Sequence, residues 1–452
     1  MGKLHFATAL LPQGWRDDVL VTVEDGSIAA VAAGAPPGDA ERCAGMAVPG
    51  VPNLHSHSFQ RGMAGLAERR GDSPDSFWTW REVMYRFLDR LDPDAIEAIA
   101  AWAFAEMLEA GFTAVGEFHY LHHAPDGRPY ANLGETAERI AAAAQASGIG
   151  LTLLPVLYAH GNFGGAPADP GQRRFLNTRD GFERLVEAST AAIADVPDAA
   201  LGIAPHSLRA VTLDDLRWAA QRWPDAPLHI HVSEQMKEVE DCLAAHGRRP
   251  IALLYDTVDV GSRWCLIHAT HADPAEIALI AASGAVAGLC PVTEANLGDG
   301  VFDTASFLHR GGRFGVGSDS LVRVSAAEEL RALEYAQRLR HRSRNALGGA
   351  GVSTGRRLFE AALAGGAEAL GRRIGALAPG HRADIVALDP EHPSLAAARG
   401  DIAVDAWIFS ADNAAVRDVW CGGEHVVGAG RHRARDTLLA RYRDTVRGLE
   451  LP

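Results

Sequence analysis

Two histidines one residue apart, His55-Ser-His57, end a valine- and proline-rich run that starts near Met46. In an extended chain, side chains two apart project to one face, so both imidazoles can grip a single ion. Neutral imidazole suits a borderline cation such as zinc. An isolated His-x-His is as readily a polar strand end, and it is the rest of the chain that lifts this one above that. Later apolar runs end in Glu117 and His119, in His206, in His231, in His268 and in Asp319. Burying so many ionisable groups round one cavity is costly unless they bind a cation or do acid–base work. Zinc would make water acidic enough to lose a proton near neutral pH. Glu234, three residues after His231, can take and return that proton. His268 can hold the nucleophile or a developing oxyanion, and Asp319 can bind the metal, orient the water, or both. As plain structure, Glu234 would be a helix-start acid beside Gln235 and Lys237, favoured there by the macrodipole.

These residues need elements to carry them. Asp92-Pro93 opens an alanine-rich helix that stops before Gly111, and Thr113–His119 follows as a strand. Helices from about Gly134 and Arg179 alternate with strands at 150–157 and 201–206. Thr212 starts another helix, 228–232 is a strand, two helices follow, and strands at 264–268, 285–290 and 313–319 complete the series. With the His-x-His strand this predicts an α/β fold, a (β/α)8 TIM-like barrel with insertions, over residues 46–374. No Gly-x-Gly-x-x-Gly follows the first strand, which speaks against a dinucleotide fold. Residues 1–45 and 375–452 read instead as short strands, with Asp25-Gly26 and Gly422-Gly423 as turns, and 403–409 as one of the strands. They predict a small β-sandwich built from both chain ends. The polar excursion from Gln60 to about Asp92, with its arginines and tryptophans, is long enough to be functional.

Hydrophobic content of 47% and charge of 22% are those of a soluble globular protein. A net charge of −14 argues against nucleic acid or an anionic membrane as partner, and an anionic substrate would need local arginines. No apolar stretch approaches a membrane span. Five scattered cysteines without a Cys-x-x-Cys read as reduced thiols of a cytoplasmic protein.

His55-Ser-His57, His231-Val-Ser-Glu234, Ile267-His268 and Gly317-Ser-Asp319 resemble the amidohydrolase superfamily, in its mononuclear zinc deaminase branch. The resemblance spans nearly the whole chain, including the tail Ala376–Asp389. It implies one zinc per chain, held by His55, His57, His231 and Asp319, with Glu234, His268 and Asp319 as catalytic groups. The fourth strand ends in Ala-Pro-His206 without the lysine of binuclear relatives. Three further stretches, Phe118–His123 with Asp126-Gly-Arg-Pro-Tyr, Ala204–Arg209 and Cys290–Gly300, resemble N-formimino-L-glutamate deiminases of histidine degradation. That resemblance implies release of ammonia to leave N-formyl-L-glutamate, a homodimer, and substrate contacts from Gln60, Arg81, Tyr120, His206 and Arg209. A dicarboxylate wants guanidinium partners, which agrees with Arg81 and Arg209. The competing readings are a deaminase of a guanine-like or other nitrogen heterocycle, which would want aromatic and amide ring contacts, and a non-catalytic homologue, which would commonly have lost ligands.

Overall fold

The computed structural model describes residues 2–69 and 76–449, so residues 70–75 of the polar excursion, Arg70 among them, lie outside the described residues. Its larger sheet is parallel and begins with the strand Val51–Ser56. The chain then adds Phe112–His119, Gly150–Leu157, a fourth strand, Leu228–Val232, Trp264–His268, Val286–Leu289 and Arg313–Val316. The fourth strand is broken into Ala200–Leu201 and Ala204–Pro205, both paired with Gly150–Leu157. Parallel bridges Ile203–Leu228 and Ser207–His231 close the ring between the fourth and fifth strands. The strands are buried along almost their whole length, as expected when helices cover a parallel sheet.

The helices start where their capping residues stand. Asp92 accepts the Ala95 N–H ahead of Pro93–Glu109, and Thr212 accepts the Asp215 N–H ahead of Leu213–Arg222. The predicted polar excursion is a 3-10 turn, Ser58–Met63, followed further on by an amphipathic helix, Phe77–Leu88.

The second sheet has eight strands drawn from both ends of the chain. In spatial order they are Arg431–His432, Glu424–Gly428, Val416–Cys421, Ile385–Leu388, Glu41–Pro49, Gly2–Leu11, Gly14–Glu24 and Ser27–Ala32. Its two arms fold over a common core in which the Phe6 and Trp420 rings meet edge to face at 5.5 Å. The run from Met46 to Leu54 is therefore two strands: Glu41–Pro49 belongs to this sheet, and the barrel begins at Val51.

One expected strand is a helix. Residues Asp401–Ser410 are α-helical and bury Ala403, Val404, Trp407 and Ile408. Their β-branched and aromatic composition suggested a strand, but buried positions spaced three and four apart demand a helix. All five cysteines are free thiols. Among the described residues no helix is long and apolar enough to cross a membrane.

Candidate active site

The ladder between the first and eighth barrel strands builds the inner end of the site. Asp319 N–H donates to the His55 carbonyl at 3.0 Å, and His57 N–H donates to the Asp319 carbonyl at 3.1 Å. Any side chain at Gly317 would put its Cβ 2.8 Å from the His55 Cβ and carbonyl oxygen, so glycine there lets the strands close. The His55 and His57 Nε2 atoms lie 3.2 Å apart, and His231 Nε2 is 3.1 Å from His55 Nε2. Asp319 Oδ1 stands 3.4 Å from His57 Nε2 and 3.6 Å from His55 Nε2.

The outer nitrogens explain which atoms face inward. His57 Nδ1 bonds the Phe118 carbonyl at 3.0 Å and His231 Nδ1 bonds the His206 carbonyl at 3.1 Å. A carbonyl accepts only, so both Nδ1 atoms carry the proton and both Nε2 lone pairs point at their neighbours. Burial pulls His55 down to about 3, lowers His57, and drives His231 well below the usual histidine range, so these rings are neutral. Converging lone pairs repel unless a cation sits among them. Nitrogens about 2.0–2.1 Å from one tetrahedral ion would be about 3.3 Å apart, close to the observed spacing. This three-nitrogen group, with the Asp319 carboxylate beside it, fits a metal.

A second cluster abuts the first. His268 Nε2 is 3.7 Å from both Glu234 Oε1 and Asp319 Oδ2. On its other side, His268 Nδ1 is 3.3 Å from Glu294 Oε1, which also accepts the Cys290 N–H at 2.9 Å. Burial would neutralise His268, but Glu234, Glu294 and Asp319 outweigh it and raise the ring to about 10. Burial pushes Glu234 up to about 7, with His268 and Arg209 pulling the other way. An imidazolium beside a carboxyl poised near neutrality is a pairing suited to proton transfer. Much of this is held in left-handed backbone: Ser233, His268, Ala269, Asp319 and Leu321 have φ between 44° and 67°. Such conformations persist in non-glycine residues only where surrounding structure over-determines them.

The cavity above these groups is walled by Tyr120, Tyr158, Phe175 and Trp80, and Arg81 and Arg209 also line it. Arg81, from the helix Phe77–Leu88, stacks over Trp78 at 4.6 Å, and Arg209 approaches the same ring at 5.8 Å. Arg209 is 5% exposed and its Nε has no hydrogen-bond partner among the described residues. Gln60 Nε2 donates to the Tyr120 hydroxyl at 3.2 Å, while Gln60 Oε1 is buried and has no partner among the described residues.

Residues 46–426 match the sequence signature described as "Amidohydrolase family". The chain belongs to that family. Residues 1–45 match a second signature, "Formimidoylglutamate deiminase HutF, N-terminal domain". A formimidoylglutamate deiminase of Pseudomonas aeruginosa is 53% identical over 96% of this chain and 97% of its own length. The crystal structure of an amidohydrolase from Brucella melitensis superposes with a TM-score of 0.96 at 53% identity, covering 99% of this chain and 100% of that one. An adenosine deaminase from Xanthomonas campestris, solved with bound zinc, shares the fold at a TM-score of 0.81 and 22% identity, covering 99% and 98%.

In this amidohydrolase the sequence-derived residues His55, His57, His231, Glu234, His268 and Asp319 converge at the inner end. Gln60, Arg81, Tyr120, His206 and Arg209 share the cavity wall with several of them. Two residues expected at the mouth are elsewhere. His119 Nε2 bonds Thr136 Oγ1 at 2.9 Å, and Glu117 accepts from the Ser58 N–H and hydroxyl at 2.8 and 2.6 Å. The Phe118 ring faces His55, His57 and His231, so alternation along the strand turns 117 and 119 away. His122 and His123 bond backbone carbonyls. Sequence reasoning passed over Glu294, Glu238, Tyr85 and Tyr158. The two acids open helices, where a carboxylate is ordinary, and nothing in their spacing marks them.

Proposed function

We propose that the protein hydrolyses N-formimino-L-glutamate to N-formyl-L-glutamate and ammonia, using one zinc ion held by His55, His57, His231 and Asp319. The observation that carries the reading is the pairing, in one cavity, of the His/Asp cluster with two arginines in an otherwise acidic chain. The 53% identity to a formimidoylglutamate deiminase supports the same substrate.

Zinc, when bound, supplies water acidic enough to lose a proton near pH 7 and polarises the amidine. Arg209 and Arg81 bind the carboxylates and set the formimino carbon over the inner cluster. Glu234 takes the first water proton as oxygen bonds to that carbon and delivers it to the terminal nitrogen. It then takes the remaining hydroxyl proton and delivers it to the same nitrogen as the C=O forms, the C–N bond breaks and ammonia leaves. His268, protonated and fixed through Nδ1 by Glu294, donates from Nε2 to the oxygen as charge develops there. The aromatic walls shield these transfers from bulk water.

The purified enzyme should release ammonia from N-formimino-L-glutamate with N-formyl-L-glutamate as coproduct, and should contain about one zinc per chain. Chelation should abolish turnover and zinc should restore it. Formamide and glutamate as products would mean that the other amidine bond breaks. Turnover of guanine or cytosine in place of the amidine would favour the heterocycle reading, to which the aromatic walls lend some support.

A further inference from the structure

Glu238 is a buried carboxylate that the chemistry above leaves without a role. It is the third residue of the helix Met236–His246, where an acid would ordinarily face solvent, yet it is only 1% exposed. One oxygen, Oε1, reaches back to accept the Ser233 N–H at 3.0 Å. Ser233 has φ 53°, and the next residue is Glu234, so this bond ties down the left-handed turn that delivers the proton carrier. The other oxygen, Oε2, lies 3.7 Å from Arg209 Nε, and neither atom has a hydrogen-bond partner among the described residues. A guanidinium buried this deeply needs a nearby countercharge, and Glu238 keeps Arg209 firmly protonated against the opposing effect of burial.

We infer that Glu238 is a positioning residue for the reaction: one carboxylate oxygen orients the Arg209 guanidinium toward the cavity while the other holds the turn that aims Glu234. A single side chain thereby sets the register between the charged end of the substrate and the proton carrier. The inference rests on the reading of Arg209 as the holder of a substrate carboxylate.

The two ties can be cut separately. Glu238→Gln keeps an oxygen able to accept the Ser233 N–H but removes the charge beside Arg209. It should raise KM for N-formimino-L-glutamate about tenfold and leave kcat within about threefold. Glu238→Ala, which cuts both, should lower kcat as well, and melting temperature and zinc content identify any variant that is merely unfolded. The decisive measurement is the double variant: in an Arg209→Met background, Glu238→Gln should raise KM no further. If KM rises for Arg209→Met but not for Glu238→Gln, or if the two effects add, the positioning role is overturned. If Arg209→Met itself leaves KM unchanged, it is the substrate reading that fails. Should the glutamine variant not accumulate, Glu238→Asp asks the same question. It keeps the charge but shortens the arm, so KM should rise and kcat fall together, and unchanged kinetics would again overturn the role.

Discussion

The two ends of the cavity are built on different principles. At the inner end, His57, Asp319, His231 and His268 sit at strand ends whose backbones hydrogen-bond to one another, and the outer ring nitrogens of these three histidines are anchored. At the outer end, Arg81 and Arg209 gather round Trp78 through ring faces, and Arg81 rides on the helix Phe77–Leu88. The inner end is fixed by the sheet; the outer end is assembled from side chains on a helix and a turn. Chemistry that tolerates little displacement stands on the sheet, and recognition of a charged tail stands on a helix and a turn, joined to the inner end through Glu238.

If this division is sound, the largest effect should come from the inner end and fall on kcat alone. Glu234→Gln preserves shape and cannot carry the proton, so kcat should drop about 10²- to 10⁴-fold while zinc content stays normal. Steady-state kinetics with metal analysis checks this, and a comparable rise in KM would show that the two ends are not separable.

Next in size are the arginines. Losing a hydrogen-bonded charge partner costs roughly 1.5–3 kcal/mol, so Arg209→Met should lose about ten- to a hundredfold in kcat/KM. Arg81 is less buried, and its replacement by Met should cost less. Each variant should lose least on an analogue lacking the carboxylate that its arginine holds, N-formimino-4-aminobutyrate being one. Equal losses on every analogue would make these arginines supports of the loop.

The smallest effect should come from outside the site and leave kinetics untouched. Asp215 accepts from the Thr212 N–H, the Thr212 hydroxyl and Arg179 Nε at 3.1, 2.6 and 2.6 Å. Burial would raise this carboxyl, but the Thr212 and Arg179 bonds outweigh it and hold it below its ordinary value. A depressed acid stabilises the fold at neutral pH, and that stability is lost as pH falls from about 4 toward the folded value. Asp215→Asn should therefore lower the melting temperature at pH 7 and close the gap to the parent protein toward pH 3. Thr212→Ala should cost about 1 kcal/mol. A change in KM from either would tie this helix to the cavity.

The inner end was far more legible in sequence than the outer. Period-two alternation and strand ends place His55, His57, His231, His268 and Asp319 with no three-dimensional information beyond the barrel itself. The same alternation, applied from Phe118, would have turned Glu117 and His119 away from the mouth. Glu238 and Glu294 were invisible because an acid in the first helical turn looks like a partner of the macrodipole until its burial is seen. The helix Asp401–Ser410 was misread through its composition, although Ala403, Val404, Trp407 and Ile408 already carried the helical spacing.

The sheet assembled from both ends of the chain bears on how the protein is made. Glu41–Pro49 has Gly2–Leu11 as one neighbour and Ile385–Leu388 as the other. Ribosomes deliver the second neighbour roughly 340 residues after Pro49, on the order of half a minute at typical elongation rates. Through that interval, Met46–Pro49 presents an open apolar edge immediately ahead of the first barrel strand, the kind of edge that pairs with other chains. The nascent protein is thus most exposed to aggregation until Ile385–Leu388 is synthesised, and its yield in a cell should respond to chaperone supply more than its final stability would suggest.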